Sequence, residues 1–334
     1  MIKPLPFTWD MHVCAPRRPG SDLVPALEEY RSAGVAMVAV NVSDAGYTLE
    51  QAMRVIASFR AQIAEHGEAL AFVQEPGDIV EAQRLGRLGV CFDVEGALLL
   101  GEQVDAARLL YDLGVRWMAF AYNRANAFGA GCHEAIDEGL TPLGRELART
   151  MDEIGMIKCC SHTGYRTARD VLDVSTRPCI FSHSNPRALV DHPRNVPDDL
   201  MKALAQTGGV IGITGVGLFL GKKNPTVADV FRHVDYAVNV IGAEHVGLGL
   251  DHSIDAGYDL VEYISNKTYW PAGHGYDDGR VVILGPEIFA PLADRMHSAG
   301  YPEAAIRGIL GENFRRVATQ VWRPPTLSRA TTGA

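Results

Sequence analysis

The feature that most constrains this chain is a unit that recurs along it. The unit is a short apolar segment of strand length, a polar residue at its end, a loop, an amphipathic helical segment and a glycine. Segments 88–94 and 246–250 are mostly apolar, as in strands that are buried on both faces of a parallel sheet. They lead into Glu95 and Asp251. Strands that alternate with helices predict an α/β protein with a parallel sheet and right-handed crossovers.

About eight such units fit, and eight units predict a (β/α)8 TIM-type barrel, whose functional residues gather at the carboxyl ends of the strands. Segment 69–73 is a small extra strand, and residues 253–284 form a long insertion after the last strand. A doubly wound open sheet is the alternative, although no G-x-G-x-x-G follows the first strand. We expect a single domain over residues 1–322 and a polar C-terminal tail over residues 323–334.

The amino-acid composition limits the binding partners and the cellular compartment that we expect for this chain. A hydrophobic content of 47% in 334 residues is ample for a large core. The net charge of -9, without a basic stripe, argues against a nucleic-acid partner. No secretory signal and no apolar run of membrane-spanning length are found, and six cysteines in so long a chain do not indicate a disulfide framework. We therefore expect a cytoplasmic protein that acts on a small molecule and does not contact membranes.

The residues that follow the predicted strands would meet at one mouth of the barrel. Three imidazoles, one thiol and two carboxylates among them are typical of a metal site. Glu95 is suited to bridge two cations because a carboxylate has two oxygens. One cation would bind His12, Cys14 and Glu95, and the other Glu95, His162 and His183. The full set at the mouth is His12, Cys14, Glu95, Tyr122, His162, His183 and Asp251.

Residues 178–199 place a positively charged arginine beside this cluster. His183 follows a short buried strand, and Arg194 lies in the Pro-rich loop after it, where an arginine is typical of a carboxylate clamp. Pro197 suits the first position of the next helix. Tyr122 and Asn123 follow another strand, and we expect both to contact the substrate. The late insertion carries Tyr269, Trp270, His274 and Tyr276 and either covers the mouth or forms a surface loop.

Several short motifs together have a family signature. The chain resembles the renal-type (membrane) dipeptidases, zinc peptidases of the amidohydrolase-like barrel superfamily. The motifs are DMHVC at 10–14, VEG at 94–96, GLTPLG at 139–144, SH at 161–162, FSHS with RNVPDD within 181–199, GLGLD at 247–251 and GENFRRV at 311–317.

The resemblance implies a (β/α)8 barrel that is usually dimeric and holds one or two Zn2+ ions per chain. It implies metal ligands at His12, Glu95, His162 and His183, with Glu95 bridging. It also implies that Arg194 binds a substrate carboxylate and that Asp251 handles a proton. We accordingly expect a homodimeric, zinc-dependent hydrolase that cleaves a small dipeptide or dipeptide-like amide with a free carboxylate.

Two positions depart from the family pattern. Cys14 stands where the D-x-H-x-D motif has its second aspartate, and a thiolate either favours zinc over manganese or magnesium or leaves the first metal weak or absent. Ala121-Tyr122 stands where the family has Thr-His. The Tyr122 hydroxyl is able to donate to an oxyanion but cannot carry the charge of an imidazolium. The alternatives are thus an enzyme for a non-peptide metabolite and a weakened homologue that only binds a ligand.

Overall fold

The computed structural model describes residues 5–18, 20–43, 45–254, 264–277 and 281–325. Within these residues, parallel strands alternate with helices. The strands are β1 (Trp9–Cys14), β2 (Met37–Asn41), β3 (Leu70–Phe72), β4 (Leu88–Val94), β5 (Val115–Ala119), β6 (Ile157–Cys159), β7 (Ile180–Phe181), β8 (Val210–Ile213), β9 (Val246–Leu248) and β10 (His252–Ser253).

Eight of the strands close into a barrel in the order β1-β2-β4-β5-β6-β7-β8-β9, and Asp10 of β1 pairs with Leu248 of β9 to complete it. The predicted (β/α)8 fold is therefore confirmed. The predicted extra strand is β3, which pairs with the first half of β4 while β5 pairs with the second half. β10 was not predicted; it pairs with Val13 and Cys14 beyond the end of β9.

The helices connect the strands and bury one face each against the barrel. In α2, for example, Phe59 packs against Phe92 of β4 with ring centroids 6.4 Å apart. The helices are α1 (Val24–Ser32), α2 (Leu49–Glu65), α3 (Pro76–Arg84), α4 (Ala106–Asp112), α5 (Pro142–Ile154), α6 (Tyr165–Val174), α7 (Asp198–Gln206), α8 (Gly217–Leu220), α9 (Val227–Ile241), α10 (Phe289–Ser298), α11 (Glu303–Arg307) and α12 (Asn313–Val321).

Helix boundaries follow the capping chemistry of the sequence. Thr48 and Gln51 form a reciprocal capping box at α2, with the Thr48 N–H donating to Gln51 Oε1 at 2.9 Å. Gly155 ends α5 with a left-handed φ of 85°. Pro197 precedes α7 as its N-cap residue, one position before the predicted one. Helix α3 was not predicted, although Glu75 caps it.

Aromatic residues close one end of the barrel. Trp9 of β1 is fully buried, and its ring lies 5.7 Å from Trp322 and 6.4 Å from Phe314 of α12. These residues lie at the amino end of β1, so the opposite end, where the strands finish, is left to form a site. The expected domain boundary at residue 322 stays a prediction, because residues 326–334 lie outside the described residues.

Candidate metal centre

One carboxylate oxygen lies at the centre of the barrel mouth. Glu95 follows β4 directly, and its Oε1 atom faces the Nε2 atoms of three histidines from three other strand ends. The distances are 2.7 Å to His162, 3.2 Å to His183 and 3.4 Å to His12. The four side chains are almost completely buried. The barrel thus brings together residues that are up to 171 positions apart in the chain.

Each of the three imidazoles is also held from behind through its Nδ1 atom. A second contact of this kind fixes the ring and leaves Nε2 as the atom that is able to coordinate a metal. The partners are a carboxylate oxygen of Asp93 at 3.2 Å from His12, the amide oxygen of Asn123 at 2.7 Å from His162, and the hydroxyl of Ser182 at 2.8 Å from His183.

Glu95 is oriented by residues of the β2 end. The Asn41 side-chain amide donates to Glu95 Oε2 at 2.9 Å, and the Glu95 backbone N–H donates to the Ser43 hydroxyl at 3.2 Å. Oε1 is therefore the oxygen that remains directed at the imidazoles. Asn41, Ser43, Asp93 and Ser182 were not among the predicted site residues.

Cys14 and Asp251 complete the cluster. The Cys14 sulfur lies 3.5 Å from His12 Nε2 and 3.6 Å from Asp251 Oδ1. His12, Glu95, His183 and Asp251 each offer one ligand atom, and these atoms all lie within 4.8 Å of one another. The residues that could hold a metal therefore include Asp251, for which the sequence predicted only a proton-handling role.

Backbone strain is concentrated at this mouth. Among the described residues other than glycine, three adopt a positive φ: Asn123 at 56°, His162 at 63° and Asp251 at 62°. Such conformations cost about 1–3 kcal/mol each and persist where the surrounding structure requires them. Here they direct the side chains that follow strands β5, β6 and β9 into one centre.

Burial and charge set the protonation of the cluster. Burial lowers the pKa of His162 to about 3, with Arg194 adding to the effect, and it lowers the pKa of His183 well below its ordinary value. Both rings are therefore neutral and keep a free nitrogen lone pair. Burial also opposes a charge on His12, yet Asp93, Cys14 and Glu95 raise the pKa of His12 well above its ordinary value. Carboxylates that hold a proton on a buried ring also favour a bound cation, so the donor set fits a metal.

Asp251 differs from Glu95 in its protonation. Burial raises the pKa of Asp251 to about 6, and the Glu95 carboxylate adds to the rise while His12 opposes it. Burial opposes a charge on Glu95, yet the charges and hydrogen bonds of His12 and His162 together hold the pKa of Glu95 well below its ordinary value. The mouth thus contains one carboxylate that stays ionised and one that is able to exchange a proton near neutral pH.

Arg194 lies beside the cluster. It is buried, donates from Nη2 to the His183 carbonyl oxygen at 3.3 Å, and stacks over the Phe219 ring at 5.1 Å. Its buried Nε–H has no hydrogen-bond partner among the described residues. One donor of this guanidinium is therefore available to a ligand.

Tyr122 and Asn123 both contact His162. The Tyr122 ring stacks on the imidazole with centroids 4.3 Å apart and planes at 20°. The Asn123 amide oxygen holds His162, and its amide nitrogen donates to the Tyr269 carbonyl at 3.0 Å. Both polar ends of Asn123 thus have protein partners, and its contact with substrate stays a prediction.

The described parts of the late insertion line a pocket beside the cluster, with about 600 Å³ of empty space that includes open solvent. Cys14, Glu95, His162 and Asp251 contribute to this pocket. The rest of its lining is mainly apolar and includes Val216, Phe219, Ile264, Trp270, Tyr276 and Ile283. Of the two expectations for the insertion, a cover for the mouth is the one that these residues show.

The family model for the membrane dipeptidases, peptidase family M19, matches residues 20–268. The chain belongs to this family. The match covers the strand ends that carry Glu95, His162, His183 and Asp251, whereas His12 and Cys14 of β1 precede it. The resemblance that the motifs indicated is therefore confirmed.

Relatives and solved structures agree with membership of the membrane dipeptidase family. The chain is 34% identical over 229 residues to an uncharacterized dipeptidase of Schizosaccharomyces pombe, covering 67% of this chain and 51% of that protein. It is 31% identical over 283 residues to the dipeptidase verJ of Clonostachys rogersoniana, covering 84% and 68%. The chain thus spans about half to two thirds of the length of these relatives. The crystal structure of an amidohydrolase from Pseudomonas aeruginosa superposes with a TM-score of 0.87 at 26% identity, over 95% of this chain and 97% of that one.

Members of the membrane dipeptidase family are metal-dependent hydrolases, and the buried cluster at the barrel mouth is where this chain could bind a metal. No helix among the described residues has the length and apolar character needed to cross a membrane. The cytoplasmic location and the dimer stay predictions.

Proposed function

We propose that this chain is a zinc-dependent dipeptidase-like hydrolase that cleaves a small dipeptide, or a dipeptide-like amide, with a free carboxylate. The observation that carries the proposal is the convergence of three imidazole Nε2 atoms on Glu95 Oε1, with Asp251 beside them. This arrangement lies at the end of a barrel of the membrane dipeptidase family, where catalytic residues gather.

The metal would be held by His12, Glu95, His183 and Asp251, with Cys14 and His162 completing a site for one or two ions. A thiolate together with imidazoles favours zinc over harder cations. When bound, zinc supplies a Lewis acid for the amide carbonyl and lowers the pKa of a coordinated water.

The remaining steps belong to side chains of the mouth. Asp251 accepts a proton and delivers it to the leaving amine. The Tyr122 hydroxyl donates to the developing oxyanion. The free Nε–H of Arg194 binds the substrate carboxylate through a charge-assisted hydrogen bond. This last contact selects small substrates with a carboxyl end.

The test is to measure bound metal on the purified protein and then kcat/KM for a panel of L-Xaa-Gly and L-Xaa-D-Xaa dipeptides. Each dipeptide is paired with its C-terminal amide, which lacks the carboxylate. We expect hydrolysis of free dipeptides, with the amides and the Arg194→Met variant each at least 10-fold slower because a charge-assisted bond is lost. No hydrolysis by the zinc-loaded protein would exclude the dipeptidase activity and leave a non-peptide metabolite as substrate.

A further inference from the structure

The lining of the pocket beside the metal centre has a polar part and an apolar part. Its polar lining includes Cys14, Arg17, Glu95, His162, Asp251 and Ser253. Its walls are built largely by apolar side chains of the α8 region and of the insertion. An apolar group binds favourably to such a wall because it leaves water, whereas a polar group gains little from the same contact.

The apolar wall is fixed in place by hydrogen bonds from the barrel. Val216 and Ile283 form an antiparallel bridge, the Gly217 N–H donates to the Val282 carbonyl at 2.8 Å, and the Leu284 N–H donates to the Gly215 carbonyl at 3.1 Å. These backbone bonds tie residues 282–284 of the insertion to the segment that follows β8.

Aromatic contacts fix the other side of the pocket. Trp270 packs edge-on against Tyr122 at 5.7 Å and against Tyr276 at 5.0 Å. The Tyr276 hydroxyl hydrogen-bonds His133 Nε2 at 3.0 Å, and the His274 carbonyl hydrogen-bonds His192 Nε2 at 3.0 Å. The wall is thus preformed, so a substrate side chain does not have to order it on binding.

A second pocket, with about 1010 Å³ of empty space that includes open solvent, shares His162 with the first and otherwise has a different lining. It is bordered by charged residues of both signs, namely Arg166, Arg187, Arg194, Glu134, Asp137 and Asp191. His162 of the metal centre thus contributes both to a mainly apolar pocket and to a charged pocket that contains Arg194. A substrate carboxylate held by Arg194 would therefore place the residue on the other side of the scissile amide toward the apolar pocket.

We propose, on the basis of the function proposed above, that the preferred substrates are dipeptides whose amino-terminal residue has a bulky apolar side chain, which binds in the pocket lined by Val216, Ile264, Trp270, Tyr276 and Ile283. The insertion after the last strand is then the element that determines specificity.

The first experiment compares kcat/KM of the zinc-loaded protein for Leu-Gly, Ala-Gly, Asn-Gly and Gly-Leu. Asn matches Leu in size but is polar, and Gly-Leu carries the same apolar group on the other residue. We expect Leu-Gly to exceed Ala-Gly by about 10- to 100-fold, from the apolar groups added. Asn-Gly and Gly-Leu should gain nothing over Ala-Gly.

The second experiment changes the wall and not the metal centre. The Ile283 side chain lines the pocket, whereas the neighbouring Val282 is 44% exposed. Ile283→Phe should fill the pocket and lower kcat/KM for Phe-Gly at least 10-fold relative to Ala-Gly. Val282→Phe is the matched control and should leave that ratio unchanged. Ile283→Asn, of similar size to isoleucine, should lower the ratio of Leu-Gly to Ala-Gly in the same way.

The outcomes separate this inference from the proposed function. Three results would overturn the substrate preference while leaving the dipeptidase activity intact. They are equal kcat/KM for Leu-Gly and Asn-Gly, a higher kcat/KM for Gly-Leu than for Ala-Gly, and substrate ratios that neither Ile283 variant changes. A zinc-loaded protein that hydrolyses none of the dipeptides would overturn the proposed function, and the preference with it.

Discussion

Two glycines control the position of His183, and replacing one of them should displace this residue. A Cβ atom on Gly212 of β8 would lie 2.1 Å from the Ser182 carbonyl oxygen, and one on Gly249 would lie 1.9 Å from the same oxygen, whereas real Cβ contacts are essentially never below 3.0 Å. The Gly212 carbonyl also accepts the Ser184 N–H at 2.7 Å. The Ser182 carbonyl, next to His183, therefore packs directly against the backbone of both glycines, and its oxygen is not the end of a flexible side chain that could give way.

In the Gly212→Ala variant, the segment 182–184 must move by about 1 Å to restore an ordinary contact. Overpacking of this kind costs about 1–3 kcal/mol, and a 1 Å displacement of a catalytic group lowers activity by about 100-fold. We expect a fall in Tm of about 2–6 °C, estimated from smaller domains, together with a loss of bound zinc.

The control is Gly77→Ala in α3, where a Cβ would meet no atom within 4 Å. This variant should keep the metal content of the wild type and gain slightly in stability, because alanine favours a helix over glycine. The reasoning is refuted if Gly212→Ala retains the Tm, metal content and activity of the wild type.

Three further substitutions test the centre and the core. Asp93→Asn should weaken zinc binding about 10- to 100-fold, because the histidine ligand His12 loses the hydrogen-bond partner behind it. Competition with a chromophoric chelator measures the Kd for zinc. An unchanged Kd would show that Asp93 does not support His12. Cys14→Asp should raise the affinity for Mn2+ relative to Zn2+, because an oxygen ligand replaces a soft sulfur; metal-competition titrations that show the wild-type ratio would mean that Cys14 is not a ligand. Lys158→Met should destabilise the fold by about 3 kcal/mol in urea unfolding, since it leaves Asp152 without its buried partner, and a change below about 1 kcal/mol would contradict this.

The main features of the site could be predicted from the sequence because a barrel gathers its strand ends. Glu95 and Asp251 follow apolar strands directly, and the closed order of strands then brings Glu95 within 3.4 Å of His12. No knowledge of loop conformation was needed for this step. The same rule explains why the described parts of the insertion after β9 line the mouth, since the chain leaves the barrel at that end.

The residues that support the ligands were harder to recognise. Asn41 and Asp93 lie inside strands that read as apolar, and they pair with each other across β2 and β4. A signal was present, because Asp93 and Glu95 are two positions apart and so face the same side of a strand. The contact of Asn123 with His162 depends on positive φ values at both residues, and neither value can be read from side-chain type. Short polar residues tolerate that region but do not specify it.

The two departures from the family pattern lie in the same pocket. Cys14 and Tyr122 both line it, together with Trp270 and Ile283. The thiol replaces a carboxylate, and the phenol replaces an imidazole, so each change removes a group that is more polar or more easily charged. Burial raises the pKa of the Cys14 thiol, which favours its neutral form when no metal is bound. The Tyr122 ring packs against Trp270 of the apolar wall, so this change is consistent with a preference for bulky apolar side chains, whereas Cys14 belongs to the polar lining and is proposed as a zinc ligand. A loss of function through a weakened metal site would give no reason for the change at Tyr122 to be accompanied by an ordered apolar wall.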